Sequence, residues 1–284
     1  VESDEAGKTY IGQFRKVVSS AATITSSWVD YSYFAGLPLA NFYASTPLES
    51  AYLDPSRGIF IPDVNGSQHL KSLMLMTGSA AAATTTNRLQ QAVLCDYLMY
   101  YPFIDTDAVG ELQEMVQAVT IPRYTSGQVI LIAQAASSRI GQFTMNYTNQ
   151  DGVSGRVSPN VFTQIVAGGG QSLLANISGG GFNPYMPLQA GDSGVKSIES
   201  VTFTAAGGGL MALVIVNPLQ TQMMFEECRT NSGAFGSASQ VVRPIHQAGL
   251  PEIKEGATLN IFAKCNGGSV ASSQLAGMIE TIWS

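Results

Sequence analysis

Charge is scarce in this 284-residue chain: Asp, Glu, Lys and Arg make up 12% of it, against roughly 25% in an ordinary soluble domain. The few charges leave a net −6, and no stretch gathers lysines and arginines. Neutralising nucleic-acid phosphates needs a basic stripe, so nucleic acid is not an expected partner. An anionic membrane surface is disfavoured for the same reason. Cysteine is nearly as sparse. Cys95, Cys228 and Cys265 are odd in number and far apart, which suits neither a disulfide framework nor a zinc site. They read as small apolar side chains in a protein made in a reducing cytoplasm. Histidine occurs only as His69 and His246, neither with a second His or Cys at ligand spacing, so no transition-metal site is expected. Long apolar runs are missing as well. The strongest, Leu210 to Val216, is far too short to cross a bilayer as a helix. Val1 to Thr9 is acidic where a secretory leader would be basic, and the expectation is a soluble protein.

Polarity must then come from Ser, Thr, Asn, Gln and the backbone of 29 glycines. Uncharged surface of this kind suits extensive protein–protein contact, where charge is depleted at the centre. A hydrophobic content of 45% is ample for a core, as one large β domain or two smaller ones.

Glycine triplets at Gly168 to Gly170, Gly179 to Gly181 and Gly207 to Gly209 fall at unequal intervals, marking loops rather than a repeat. Between them the apolar period is two. Phe143, Met145 and Tyr147 alternate with Gln142, Thr144, Asn146 and Thr148, the pattern of a half-buried strand. Asn149-Gln150-Asp151-Gly152 follows with a hairpin signal. Val201 and Phe203 alternate with threonines, and Leu210 to Val216, closed by Asn217-Pro218, reads as a strand buried on both faces. Val129 to Ala133 reads the same way. Leu259, Ile261 and Ala263 alternate with Thr258, Asn260 and Lys264, and Leu275 to Trp283 reads as the returning strand after the Asn266-Gly267-Gly268 turn.

The expected fold is mainly β: a β-sandwich, with a jelly roll as one arrangement of it, and an extended N-terminal arm. The expected division is an arm over 1–27, a β-rich region over 28–120 and a sandwich region over 121–284, the last two able to form one continuous domain. Ser19 to Ser27 is small and polar, as an arm would be. Aromatics and Pro102 favour a strand over Cys95 to Ile104. Glu111 to Ala118 reads as one short helix with acidic residues at its start.

One string has the form of a catalytic signature. Gly191-Asp192-Ser193-Gly194 is similar to the nucleophile loop of trypsin-like serine proteases, and His69 with Asp96 or Asp105 completes the chain order His, Asp, Ser. The likeness stops there: Val195-Lys196 follows where that family has Gly-Pro, and His69 lacks its usual small neighbours. A polar turn leading into a strand over Val195 to Thr204 is the expectation. Asp105-Thr106-Asp107 has carboxylates spaced to meet on one hard cation, but the rest of a calcium loop is absent, so a solvated turn is expected. Asn65, Asn146 and Asn176 head glycosylation-type triplets of the kind that arise by chance in such a composition. Tyr97, Tyr100, Tyr101 and Phe103 read as core or interface anchors before a sugar-binding groove. No catalytic, cofactor or metal residue is therefore assigned.

Four stretches together carry a resemblance: Trp28 to Leu48 with Gly36-Leu37-Pro38 and Asn41-Phe42-Tyr43-Ala44; Leu94 to Phe103; Tyr147 to Gly152; and Val201 to Pro218. They resemble virion structural proteins of tailed bacteriophages, a group with head decoration (cement) proteins and tail components among its members. The resemblance implies a non-enzymatic particle component without cofactors, assembled in the host bacterial cytoplasm and resident in the virion. Its implied partners are copies of itself, with a trimer as the expected form, and the major capsid protein or other virion proteins. The expected role is capsid decoration, with a tail or head-to-tail protein, or a receptor- or carbohydrate-binding sandwich on the particle, as alternatives.

Overall fold

The period-two patterning becomes seventeen strands in a computed structural model that describes residues 7–18, 27–78, 89–175, 183–229, 234–242, 249–265 and 273–284. In chain order they are β1 Thr9–Val17, β2 Trp28–Asp30, β3 Ala35–Leu37, β4 Gln68–Gly78, β5 Leu89–Asp105 and β6 Leu112–Glu114. Next come β7 Gln128–Ala133, β8 Gln142–Asn149, β9 Arg156–Val157, β10 Val161–Phe162, β11 Val195–Ala205 and β12 Leu210–Met223. The last five are β13 Phe225–Arg229, β14 Ala234–Val242, β15 Glu252–Ile253, β16 Leu259–Cys265 and β17 Gln274–Trp283.

The chain is mainly β and sandwich-like, built from three sheets, one more than the two of a jelly roll. The first has order β13-β14-β4-β17-β1-β3, with β15 also on β4; the second is β2-β16-β5-β12-β7; the third is β10-β8-β11-β6, with β9 on β8.

The second sheet closes on itself. Its edge strands β2 and β7 are both bridged by residues 170–173: Ser172 N–H donates to Trp28 O at 2.8 Å, while Ala133 N–H donates to Gln171 O at 2.9 Å and Leu173 N–H to Leu131 O at 3.0 Å. A short barrel results, and closure removes both edges of that sheet. The Gly168 to Gly170 triplet makes this possible. Gly170 holds φ +81°, and a Cβ on Gly169 would stand 2.4 Å from the Tyr33 hydroxyl, so only glycine lets the chain pass there.

Residues of the barrel strands alternate between inside and outside, broken on β5 where a register shift sets Leu98 and Met99 both outward between Tyr97 and Tyr100. Trp28, Val93, Cys95, Tyr97, Ile130, Ile132, Ala212, Val214, Val216 and Phe262 form the interior core, with Trp28 and Phe262 stacked at 5.2 Å and Tyr43, Leu53 and Tyr185 closing it. The outside is covered twice. Met99, Tyr101, Leu131, Leu213 and Ile215 pack against Phe143, Met145, Val201 and Phe203 of the third sheet. Val29, Leu94, Leu259 and Ile261 pack against Phe14, Leu73, Leu75, Leu275 and Ile279 of the first. Leu213 and Val214 thus face opposite ways, both fully buried, as the continuous apolar run of β12 requires.

Several elements depart from the sequence reading. The segment assigned to the arm holds β1, whose nine residues pair along β17 from Thr9↔Ile282 to Val17↔Gln274; residues 19–26 lie outside the described residues. Its inward set is Gly12, Phe14 and Lys16, so no apolar alternation announces it. Lys16 is buried because its ammonium donates to three carbonyls, Phe34 O at 3.2 Å, Pro38 O at 2.7 Å and Leu39 O at 3.2 Å, pinning the chain on both sides of β3. Burial holds its pKa down to about 8, although Asp30 pulls it up.

The expected helix over Glu111 to Ala118 is instead β6, paired with β11, followed by the Glu49↔Val116 bridge; pairing partners override a weak local helical signal. β12 does not stop at Asn217-Pro218. It runs on to Met223, with a register shift after Pro218 that spares the ladder the missing N–H. β17 does not return along β16 but crosses to β4 and β1. All seven residues of β16 are buried, Asn260 and Lys264 included, because both faces of a barrel strand under a second layer are interior.

Candidate contact surface

The strings that had the form of a chemical site are spread over the three sheets. Ser193 precedes β11 of the third sheet, Asp96 lies on β5 of the barrel and His69 on β4 of the first. His69 pairs in register with Glu252 and Ile282. Ser193 is held through its backbone: its N–H donates to Gln150 Oε1 at 2.9 Å and its carbonyl accepts from Gln128 Nε2 at 2.7 Å. Asp192 is the structural residue of that loop. It accepts from the Tyr147 hydroxyl at 2.6 Å, Asn149 Nδ2 at 2.8 Å and Arg156 Nε at 2.9 Å. Those hydrogen bonds, Arg156 foremost, hold its carboxyl down at about 2. Asp96 accepts from Arg123 Nε and Nη2, each at 2.8 Å, and from the Thr258 N–H at 2.9 Å, and the bidentate Arg123 pair joins the 121–128 segment to the barrel.

Asp105 and Asp107 serve as turn acceptors, for Asp107 N–H at 2.8 Å and Gly208 N–H at 2.9 Å. Among the described residues no group of three or more His, Cys, Asp or Glu side chains is placed to hold a metal ion. Asn65 sits in an exposed loop and Asn146 on β8, donating to Ser200 Oγ at 3.0 Å, while Asn176 lies outside the described residues. Tyr97, Tyr100 and Tyr101 are buried, in the barrel wall rather than along a groove.

A second carboxylate, with no sequence signature, sits inside the barrel. Asp30 is fully buried and accepts from the Tyr97 hydroxyl and the Ser32 N–H and hydroxyl at 2.8, 2.9 and 2.7 Å, and from the Tyr43 hydroxyl. Burial raises its pKa and the hydroxyl bonds act against the rise. The cluster ties the plugging Tyr43 loop to β2 and β5.

The two covering sheets differ on their outward faces. On its central strands the outward face of the third sheet is polar, Gln142, Thr144, Asn146 and Thr148 of β8 lying beside Thr202 and Thr204 of β11, while Leu112, Val157 and Phe162 are exposed on the short strands that flank them. The outward face of the first sheet is apolar. Cross-strand registers set Arg15 beside Ala276 and Met76, Gln13 beside Met278 and Met74, and Ile11 beside Glu280 and Ser72, with Leu37 flanking Arg15 and Val242 flanking Ser72. Ile11 is 59% exposed, Leu37 67% and Met76 40%. A shallow groove of about 360 Å³ crosses this face between Leu37, Met74, Met76 and Met278; its floor is low where Ala276 supplies the short side chain.

Three charges border the patch. Arg15 Nε donates to Gln274 Oε1 at 3.0 Å, and Glu280 pairs with Lys71 at 3.0 Å and accepts from Ser72 Oγ at 3.1 Å. Sequence reasoning missed this face because Leu73 and Leu75 point in while Met74 and Met76 point out, leaving both parities apolar. No protein-family model, no curated protein and no solved structure matches the chain.

Proposed function

We propose that this chain is a non-enzymatic structural component of a bacteriophage particle, a head decoration (cement) protein that stabilises the capsid through contacts with copies of itself and with capsid protein. The observation that carries the proposal is the contiguous apolar patch on the central strands of the first sheet, Met74, Met76, Ala276 and Met278, where the central strands of the third are polar. A solvated sheet face ordinarily alternates to polar residues, as β8 of the third sheet does, and a contiguous apolar patch on the outside marks a contact site. A broad, open sheet face on which one aromatic, Phe225, is exposed favours protein contact over a carbohydrate groove, in which several aromatics would line a cleft.

The four stretches that resemble phage virion proteins support the same reading. They form β2 and the plug, β5, the end of β8 with its turn, and β11 to β12, which are the barrel and the sheet beside it. Support for a role without catalysis comes from the GDSG loop, whose carboxylate and serine backbone are spent on holding the loop to β8 and β7.

The test is to locate this chain in intact particles by antibody labelling and density mapping. Regular positions on the head are expected. Labelling confined to the tail would keep the structural role and move its place; particles devoid of the chain would overturn the proposal.

A further inference from the structure

We infer that the methionine face of the first sheet is a self-association surface, on which a second copy of this chain docks face to face about a two-fold axis passing beside Met278. The inference deepens the structural reading by naming the partner of that face, yet it rests on the face alone.

Three features fit a second copy. The first is charge. Arg15 and Glu280 lie on neighbouring strands and two outward rows apart, since Arg15 faces Ala276 and Ile11 faces Glu280, and Glu280, which Lys71 meets on one side at 3.0 Å, is the one carboxylate of the patch border that Arg15 of a second copy can approach. With strands spaced about 4.8 Å and outward residues about 6.8 Å apart along a strand, the axis that sets Arg15 over Glu280 of the second copy passes between Gln13 and Met278. Two-fold symmetry then makes the same pair twice, as an isologous interface must.

The second feature is shape. On those spacings the same operation brings Met74 of one copy over the low floor beside Ala276 of the other, so that a projecting thioether fills the groove, and brings Met278 against its own mate. Methionine suits such a contact because its unbranched, polarisable chain adapts to an irregular surface. The third is orientation. The strands of the two copies cross by about 40°, near the ~30° at which sheets pack face to face. A capsid-protein partner would need a complementary patch that nothing on this face specifies, whereas a second copy supplies both charges and both halves of the knob and groove.

The experiment uses the full chain in solution. Sedimentation equilibrium is expected to show a dimer, and Met278→Glu is expected to weaken it at least 100-fold while the far-ultraviolet circular dichroism stays unchanged. Arg15→Glu is expected to weaken it several-fold and addition of Glu280→Arg to restore part of the loss. Because Met278→Glu places a charge on a sheet, a gentler variant provides an independent readout. Met278→Cys is expected to cross-link to its own mate with a short bismaleimide, and Thr144→Cys on the polar sheet is not. A monomer at high concentration, a trimer, a dimer indifferent to Met278→Glu, or cross-linking at 144 but not 278 would overturn the inference. The two proposals fail separately. A monomer that occupies regular positions on a particle would defeat the dimer and leave the proposed function, and a dimer absent from particles would do the reverse.

Discussion

Asp192 and Asp30 are both carboxylates withdrawn from water, and they differ in what replaces the water. Around Asp192 the replacement is charged: Arg156 leads, and Tyr147 and Asn149 add hydrogen bonds, so the carboxyl titrates at about 2 instead of 3.8. A depressed folded pKa means stability that is present above 3.8 and lost as the pH falls through about 2. Asp192→Asn is therefore expected to flatten the acid limb of the unfolding midpoint over that window, read by thermal melts at closely spaced pH. Asp30 is opposite in sign. Burial raises its pKa above 3.8, so the folded state holds that proton more tightly, and its contribution is greatest in acid and declines as the pH rises through the folded value. Asp30→Ala is expected to strand the Tyr43 and Tyr97 hydroxyls and to cost about 3 kcal/mol in urea unfolding, with Asp30→Asn milder because an acceptor oxygen remains. Ser193→Ala is expected to change neither stability nor any activity, since the loop is held by the backbone of residue 193; covalent labelling of Ser193 by a fluorophosphonate would contradict this.

At the scale of the element, what the sequence reveals depends on whether the two faces of a strand differ. β8 was legible because Phe143, Met145 and Tyr147 go in while Gln142, Thr144 and Asn146 face water. β12 was legible for the opposite reason, both faces being core. Replacing Leu213 or Val214 by Asp is expected to abolish soluble expression, because each places an unpaired charge in a dry layer. Met278→Asp, on an equally apolar strand, is expected to remain soluble, since its face is open. That contrast shows what the letters alone conceal: β4 and β17 carry apolar residues outward, and only the register says which apolar residues are covered. β1 was hidden differently, its inward positions being glycine, phenylalanine and a carbonyl-bound lysine. The barrel closure was hidden most, because it depends on three residues after a glycine triplet pairing with strands more than thirty positions away. Of the contact face, the low charge was legible in the composition, but its position was not.

For the whole molecule, scarcity of charge makes a specific statement about how assembly responds to salt. If the association surface were built from ion pairs, added sodium chloride would weaken it steeply, as screening shortens the reach of exposed charges to ~3 Å at 1 M. The methionine face carries Arg15, Lys71 and Glu280 at its border, so each copy offers one Arg15 and one Glu280 to its mate, and an exposed pair is worth about 0–1 kcal/mol. Two such pairs in a two-fold contact set the upper limit of what salt can remove, so raising sodium chloride from ~0.05 M to ~1 M is expected to weaken the dimer by no more than roughly 30-fold. Ammonium sulfate acts in the other direction, because excluded salts strengthen the burial of apolar surface. Sedimentation across both series separates the cases: dissociation constants that change little with chloride and tighten with sulfate place Met74, Met76 and Met278 at the centre of the contact. A loss of association by several orders of magnitude in chloride would place the centre on charged residues elsewhere on the molecule, and the apolar face of the first sheet would then lose its assigned partner.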